Sequence, residues 1–314
     1  MRLIRRPSQA ISAMQSGCVV TIGAFDGLHL GHRRIIDRLL AAAQELQLPA
    51  LVFSFDPTPK EYFSRGTPPA RLMSFREKYE ALNELGVDYF LCPRFDERLA
   101  DLEPDSFIDA LLVDLLDVKH VIVGDDFRFA RHRTGHLEHL QRGGERHDFG
   151  VEQVASVIDS GQRVSSTVVR EALLAGELER ARHLLGRYYR MSGKVVRGER
   201  LGRELGMPTA NVKLNRKLSP VQGIFAVRVA GLGSDSGSAK WLDGVASIGT
   251  RPTIGGTEPL LEIHIFDFDR DIYGAHLQVE FVAKIRDEEY FDTLDALKAQ
   301  MFRDADDARE LLAK

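Results

Sequence analysis

The segment Gly23-Ala24-Phe25-Asp26-Gly27-Leu28-His29-Leu30-Gly31-His32 follows the apolar run Cys18–Ile22 and precedes a helical pattern. A strand, a glycine-containing turn and a helix start direct several backbone N–H groups at one point. The helix N-terminus favours phosphate there. Gly31 removes a side chain where backbone and phosphate would approach. His29 and His32 on either side can donate hydrogen bonds to phosphate oxygens. Such donors stabilise charge that builds on an α-phosphate and a departing pyrophosphate. No covalent intermediate is needed if the attacking group is itself a phosphate. The plainer alternative is a turn with two polar histidines near a helix start. The strand-to-helix placement favours chemistry.

Other residues point the same way. Val121-Ile122-Val123-Gly124-Asp125-Asp126-Phe127-Arg128-Phe129 ends a second strand-like run with a glycine and two aspartates. Arg163-Val164-Ser165-Ser166-Thr167-Val168-Val169-Arg170 offers hydroxyls at an expected N-cap before a helix over Val168–Ala175, with arginines on both sides. Far downstream, Pro208-Thr209-Ala210-Asn211 reads as extended, so Thr209 and Asn211 project to one side. Their oxygens suit a hard cation such as Mg²⁺, which keeps waters and bridges nucleotide phosphates. Gly193, Gly198, Gly202 and Gly206 interrupt a basic stretch holding Lys194, Arg197, Arg200 and Arg203. Glycines there permit close approach to phosphate and the bases supply charge. Composition alone would make this a solvated loop. There is no G-x-x-x-x-G-K-[ST] segment, so a P-loop is excluded. In Leu260–Phe268, Glu262, His264, Phe266 and Phe268 share one strand face and Leu261, Ile263 and Ile265 the other. Residue type alone makes Glu262 an exposed position; the alternative is a general base.

These residues need two different scaffolds. The chain has 314 residues, 44% hydrophobic and 28% charged, enough for two domains with sizeable cores. Cys18–Ile22, Ala50–Phe55, Tyr89–Cys92 and His120–Val123 read as buried strands. Arg33–Leu46 and Phe107–Leu116 read as helices between them, with Ile35, Ile36, Leu39, Leu40, Ala43 and Leu46 forming the apolar stripe of the first. That βαβ rhythm implies a parallel, Rossmann-like α/β sheet whose ligands bind beyond the strand carboxyl ends. After Gly186 the rhythm changes. Met191–Val196, Ile224–Val229, Trp241–Ser247, Leu260–Phe268 and Gln278–Val282 are expected strands of a small all-β barrel or sandwich. Gly231–Ser238 reads as a loop, and Leu294–Leu312 as a terminal helix. The expected domains are 1–186 and 187–314.

The net charge of −4 gives no support to a nucleic-acid or anionic-membrane partner. Arg128, Arg131 and Arg133 still allow a small anion such as ATP. Cys18 and Cys92 lie in apolar runs at no metal-ligand spacing and read as buried free thiols, as suits a reducing cytoplasm. Arg2, Arg5 and Arg6 are followed by no unbroken apolar stretch, which makes a poor signal peptide. No run approaches the ~20 apolar residues of a membrane helix.

The combined motifs resemble the bacterial bifunctional riboflavin kinase/FMN adenylyltransferases, or FAD synthetases. The pattern G-x-F-D-G-x-H-x-G-H is met throughout Gly23–His32, and S-S-T-x-x-R by Ser165–Arg170. Further similarity lies in Ile248-Gly249-Thr250-Arg251-Pro252-Thr253, Asp271-Ile272-Tyr273-Gly274 and Ile285-Arg286-Asp287-Glu288. The resemblance spans roughly residues 15–310. It implies an N-terminal nucleotidylyltransferase domain and a C-terminal riboflavin-kinase β-barrel. FMN adenylylation to FAD is implied for the first, with catalytic His29 and His32. Nucleotide and phosphate contacts are implied for Gly23, Phe25, Asp26, Gly27, Gly31, Asp126, Arg163, Ser165, Ser166, Thr167 and Arg170. Riboflavin phosphorylation is implied for the second, with Glu262 accepting the proton of the ribityl 5′-hydroxyl. Mg²⁺ ligands are implied at Thr209 and Asn211, and nucleotide or flavin contacts at Gly193, Lys194, Gly202 and Arg286. ATP, riboflavin, FMN and FAD are then substrates and products, and the family allows a homo-oligomer. Many members have His at Thr58, Gly at Ala130, Asn at Asp126 and Phe at Met207.

Two other readings compete. One is an H-x-G-H transferase acting on a nicotinamide or pantetheine phosphate, with a non-catalytic C-terminal module. It leaves Pro208–Asn211 and Glu262 unexplained. The other is a non-enzymatic flavin-binding protein, which leaves two intact sets of polar residues without a use.

Overall fold

A computed structural model describes residues 1–6, 10, 14, 16–198, 202, 205–232, 241–253 and 256–314, with the side chains of 250–258 outside the description. Arg200, Arg203 and most of the expected Gly231–Ser238 loop therefore lie outside the described residues, as do the side chains of Thr250–Thr253. The chain forms two compact units, Met1–Pro69 with Phe75–Ser165, and Ala70–Ser74 with Ser166–Lys314.

In the first unit, short β-branched runs covered on both faces make a parallel sheet. Its strands are β1 (Arg2–Ile4), β2 (Cys18–Ile22), β3 (Ala50–Phe53), β4 (Tyr89–Leu91), β5 (Val118–Gly124) and β6 (Gly150–Val154), in the order β1-β4-β3-β2-β5-β6, and a small hairpin of β7 (Ile158–Asp159) and β8 (Gln162–Arg163) follows. Every residue of β2 and β3 is buried. From β2 the chain proceeds to β3 on one side and later to β5 on the other. The crevice between the ends of β2 and β5 is thus the switch point of the sheet. Gly23 follows β2, and Gly124 closes β5.

Helix α1 (Leu30–Leu46) connects β2 to β3 and buries Ile36, Leu39, Ala42 and Ala43. Leu46, expected on the apolar stripe, is exposed. Helix α2 (Phe75–Glu84) precedes β4. The expected helix over Phe107–Leu116 is a π-helical stretch, Ile108–Leu115, following an α-helical turn, Pro104–Phe107. Two edge strands were not expected. β1 has only three residues, and β6 reads Gly-Val-Glu-Gln-Val because its edge position tolerates Glu152. That carboxylate accepts two hydrogen bonds from Arg38 Nε, at 2.7 and 2.9 Å. Cys18 and Cys92 are buried and free, and burial pushes the Cys18 thiol up to about 12.

The second unit contains a closed antiparallel barrel: β9 (Tyr189–Val196), β10 (Ala210–Lys213), β11 (Gly223–Ala230), β12 (Leu242–Thr253), β13 (Gly256–Ile265) and β14 (His276–Arg286). Alternation fills its interior with Phe225, Val227, Ile248, Leu261, Ile263 and Phe281, and Phe225 meets Phe281 edge-on at 5.2 Å. Two helices precede the barrel, α4 (Ser166–Leu174) and α5 (Leu178–Leu185); α3 (Leu137–His147) belongs to the first unit. Ala70–Ser74 belongs to the second unit, where its carbonyls are used. Arg170 Nε donates to Ala70 O at 2.7 Å, Tyr189 Oη to Leu72 O at 3.0 Å and Arg216 Nη1 to Arg71 O at 3.3 Å.

Helix α6 (Leu294–Leu312) occupies the expected range, and Thr293 Oγ1 caps it by accepting from Ala296 N at 3.2 Å. Its Ala305, Ala308 and Leu312 pack on Met207, Ile224, Ala226, Val245 and Phe266 of the outer barrel face. A fork of hydrogen bonds fixes the helix: Arg286 Nε and Nη2 reach Asp304 at 2.8 and 2.7 Å, and Gln300 Nε2 reaches it at 2.8 Å. Asp304 is 3% exposed. Removing Asp304 leaves the half-buried Arg286 guanidinium without its carboxylate, so Asp304→Ala should cost about 3 kcal/mol, the low end for a buried pair. Chemical denaturation should show this loss; a change below about 1 kcal/mol would mean the helix is held by apolar packing alone.

Candidate active sites

The first site is built at the end of β2. Gly23 N–H donates to Phe53 O at 3.0 Å, holding the strand end on the sheet. The chain then turns through three left-handed positions: Phe25 (φ 48°), Gly27 (φ 89°) and Leu28 (φ 43°). Gly27 takes this at no steric cost; Phe25 and Leu28 do so as bulky residues, 1% and 2% exposed. Asp26 is also buried. The turn delivers His29 as the N-cap of α1. Its Nδ1 accepts from the His32 backbone N–H at 3.4 Å, so the ring proton resides on Nε2. The two imidazoles stack, with centroids 3.7 Å apart and planes at 21°. A Cβ on Gly31 would lie 3.1 Å from the His29 ring, which explains glycine between the histidines.

His32 Nδ1 is buried with no hydrogen-bond partner. A buried orphan of this kind is what an external phosphate oxygen would satisfy. Burial pushes the His32 pKa well below the ordinary imidazole value of 6.5, and the charges of His29, Lys78 and Arg163 push the same way.

The end of β5 supplies the neighbouring wall. Arg163 Nη2 lies 2.7 Å from Asp126 Oδ1 and 3.7 Å from Asp125 Oδ1. Ser156 donates to Asp125 through N at 2.8 Å and Oγ at 2.5 Å. Burial raises the Asp125 carboxyl, but Ser156 and Arg163 outweigh it and hold it below the usual range. Ala130 adopts φ 63° and ψ −171°, a region natural to glycine. Thr58 caps a short helix through a reciprocal box with Glu61.

Ser165 ends the first unit. The helix expected to begin at Val168 begins at Ser166, so Ser166 and Thr167 belong to its first turn rather than to a cap. Arg170, from the same helix, is engaged with Ala70 O in the second unit.

The second site lies on the outer barrel face. β10 pairs with β13 so that Asn211 stands opposite Glu262, and β12 places Ser247 on the other side of Glu262. The row continues through Ile224 to Arg286. Asn211 is 7% exposed, and Glu262 is half-buried, where residue type alone favours an exposed position. Directly opposed residues place their Cβ atoms about 5 Å apart, so the amide and carboxylate address one spot.

Two glycines press on the oxygen donors. A Cβ on Gly198 would collide with the Asn211 amide, and one on Gly202 would lie 3.1 Å from Thr209 Oγ1. Gly202 O also accepts from Met207 N at 2.7 Å, closing the turn before Pro208. Gly193 is needed for another reason, since a Cβ there would strike the Lys213 carbonyl of β10. Lys194 is exposed beside it. Arg286 is committed to Asp304, and its Nη1 donates to Asp287 O at 2.9 Å. Among the described residues no group of three His, Cys, Asp or Glu is placed to hold a metal ion. The neutral oxygens of Thr209 and Asn211 beside a carboxylate fit a hard cation that brings phosphate ligands of its own.

Sequence reasoning placed His264 on the face of Glu262 without giving it a role, and it missed Lys78. His264 Nδ1 donates to Pro208 O at 2.9 Å, tying β13 to the segment that carries Thr209. Lys78 is buried with Nζ 2.5 Å from Ala24 O. Its signal was a lysine on the core stripe of α2.

An α/β unit with a histidine turn at its switch point, followed by a small barrel with a carboxylate on its outer face, is an arrangement that fits an enzyme of phosphate transfer. Comparison with known proteins agrees. The FAD synthetase family model matches residues 11–168, and the riboflavin kinase model residues 185–312. A bifunctional riboflavin kinase/FMN adenylyltransferase of Escherichia coli K12 is 48% identical over 310 residues, 99% of this chain and 97% of its own. The one from Haemophilus influenzae is 43% identical, covering 98% of both chains. A solved structure described as a macrolide-efflux protein from Streptococcus pneumoniae matches with a TM-score of 0.81 at 30% identity, covering 96% of both chains. The efflux description belongs to that protein; no helix among the described residues here is long and apolar enough to cross a membrane. The chain belongs to the bifunctional riboflavin kinase/FMN adenylyltransferase family. It is a flavin-cofactor biosynthesis enzyme, kinase and nucleotidyltransferase in one polypeptide.

Two tests follow from this geometry. The unfolded chain takes up a proton at His32 near pH 6.5 while the folded chain does not, so stability should fall as the pH drops below 6.5. Denaturation at a series of pH values should show a steeper loss for the wild type than for His32→Asn; equal slopes would contradict the buried neutral imidazole. Gly198→Ala should lower riboflavin phosphorylation at least ~10-fold by displacing Asn211. Adenylylation of supplied FMN should be unaffected, and an unchanged phosphorylation rate would remove Asn211 from that site.

Proposed function

We propose that the two chemistries map onto the two sites as follows, with residues 1–186 and 187–314 as the functional domains. In the barrel, Glu262 accepts the proton of riboflavin's 5′-hydroxyl as that oxygen attacks the γ-phosphate of ATP, giving FMN and ADP. Thr209 and Asn211 would hold Mg²⁺, which when bound would neutralise phosphate charge. Gly193, Lys194 and Gly202 form the nucleotide side of this site. Arg286, through Asp304, fixes α6 beside the row that carries Glu262.

In the α/β domain, FMN phosphate attacks the α-phosphate of a second ATP, giving FAD and pyrophosphate. Gly23, Phe25, Asp26, Gly27 and Gly31 shape the receiving turn. His29, with its proton on Nε2, and neutral His32 donate to the phosphate oxygens as charge develops. Asp126, Arg163, Ser165, Ser166, Thr167 and Arg170 supply nucleotide and phosphate contacts. The protein works in the cytoplasm on these small molecules.

The observation that supports this reading is the stacking of His29 on His32 in the first unit, beside the separate pairing of Asn211 with Glu262 in the second. Glu262→Ala should abolish FMN formation and leave adenylylation of supplied FMN intact. The double variant His29→Ala/His32→Ala should do the reverse, accumulating FMN without FAD. Loss of both activities in either folded variant would refute separate sites.

A further inference from the structure

Helix α2 carries Phe75, Lys78 and Leu82 at i, i+3 and i+7, the spacing of a core-facing stripe. Phe75 stacks on Phe90 of β4, and Leu82 is fully buried. A lysine in such a row enters the interior only if its ammonium finds acceptors. Lys78 is 6% exposed, and its Nζ donates to the Ala24 carbonyl. Ser54 Oγ, just beyond β3, donates to the same carbonyl at 3.4 Å.

Ala24 is the residue from which the turn departs. Phe25 and Leu28 follow in left-handed conformations that are costly for bulky side chains and persist only where the surroundings over-determine them. The turn ends at His29. Phe25 also packs against His32, with centroids 5.2 Å apart. An anchor on Ala24 is therefore an anchor on both imidazoles.

We propose that Lys78 is a positioning residue for adenylyl transfer: its ammonium grips the Ala24 carbonyl, holds the left-handed turn closed and so aims His29 and His32. The inference rests on the assignment of adenylyl transfer to that histidine pair. The ammonium has a second effect. The charged and titratable groups acting on His32 are His29 at the head of α1, Lys78 from α2 and Arg163 from the β-hairpin strand Gln162–Arg163. Lys78 is one of the charges that keep His32 neutral as a hydrogen-bond donor.

The test uses the full chain with Lys78→Met, which keeps the apolar stem, and Lys78→Arg, which keeps the charge. FMN adenylylation and riboflavin phosphorylation are assayed separately, and the His32 ring is titrated by NMR. Lys78→Met should lower kcat for adenylylation roughly 10- to 100-fold, as expected for misaimed donors. It should leave riboflavin phosphorylation unchanged and move the His32 titration to higher pH. Lys78→Arg should recover most of the rate and titrate near the wild type. Adenylylation by Lys78→Met within about twofold of wild type would overturn the inference. So would equal losses in both variants with an unmoved His32 titration, which would indicate packing alone. If Lys78→Met does not fold, Lys78→Arg decides, with near-normal adenylylation supporting the role and its loss overturning it. The variant His29→Ala/His32→Ala separates the two levels. If it adenylylates normally, the underlying assignment fails; if it is inactive and Lys78→Met is active, only the inference about Lys78 fails.

Discussion

The placing of the two stacked histidines in the α/β unit depends on a backbone forced through left-handed conformations after β2. Phe25, Gly27 and Leu28 reverse the chain within a few residues, so that α1 starts directly over the end of the sheet. Glycine alone would leave such a turn loose. Bulky residues in these conformations are held by burial of Phe25 and Leu28 and by the two donors on Ala24 O. The helix then begins with an imidazole as its cap. That choice places one ring against another and leaves a buried nitrogen of His32 without a protein partner. A stack of two imidazoles would repel if both were charged. Burial and nearby cations prevent this by keeping His32 neutral.

The barrel solves a different problem with register. Its strands alternate, so Leu261 and Ile263 fill the interior while Glu262 faces outward between Asn211 and Ser247. A slip by one residue would turn the carboxylate into the core and the leucine out. Closure of the sheet excludes that slip, because every strand has partners on both sides. The glycines at 198 and 202 complete the arrangement by letting backbone lie against Asn211 and Thr209. The first site is thus held by a strained turn and the second by strand pairing.

Much of this was legible in the sequence, for physical reasons that differ by element. Buried parallel strands such as Cys18–Ile22 announce themselves as apolar runs, and the terminal helix over Leu294–Leu312 by its period. The histidine turn was readable from its place between a strand and a helix, whereas Pro208–Asn211, a solvated loop by composition, stood out only through the family resemblance. The edge strands were not readable, since three residues at Arg2–Ile4 carry no period and β6 exposes Glu152. The interlock of Arg286 with Asp304 joins residues 18 apart and gives no local signal. Lys78 was hidden differently. A lysine on a helix reads as solvated until the sheet end that receives it is known.

The most direct test of two sequential activities in one chain is a chromatographic time course with riboflavin, ATP and Mg²⁺. The account predicts that FMN appears first and FAD follows at its expense, with ADP and pyrophosphate released in turn. Riboflavin left unconverted by the folded protein, or FMN that accumulates without ever becoming FAD, would contradict it.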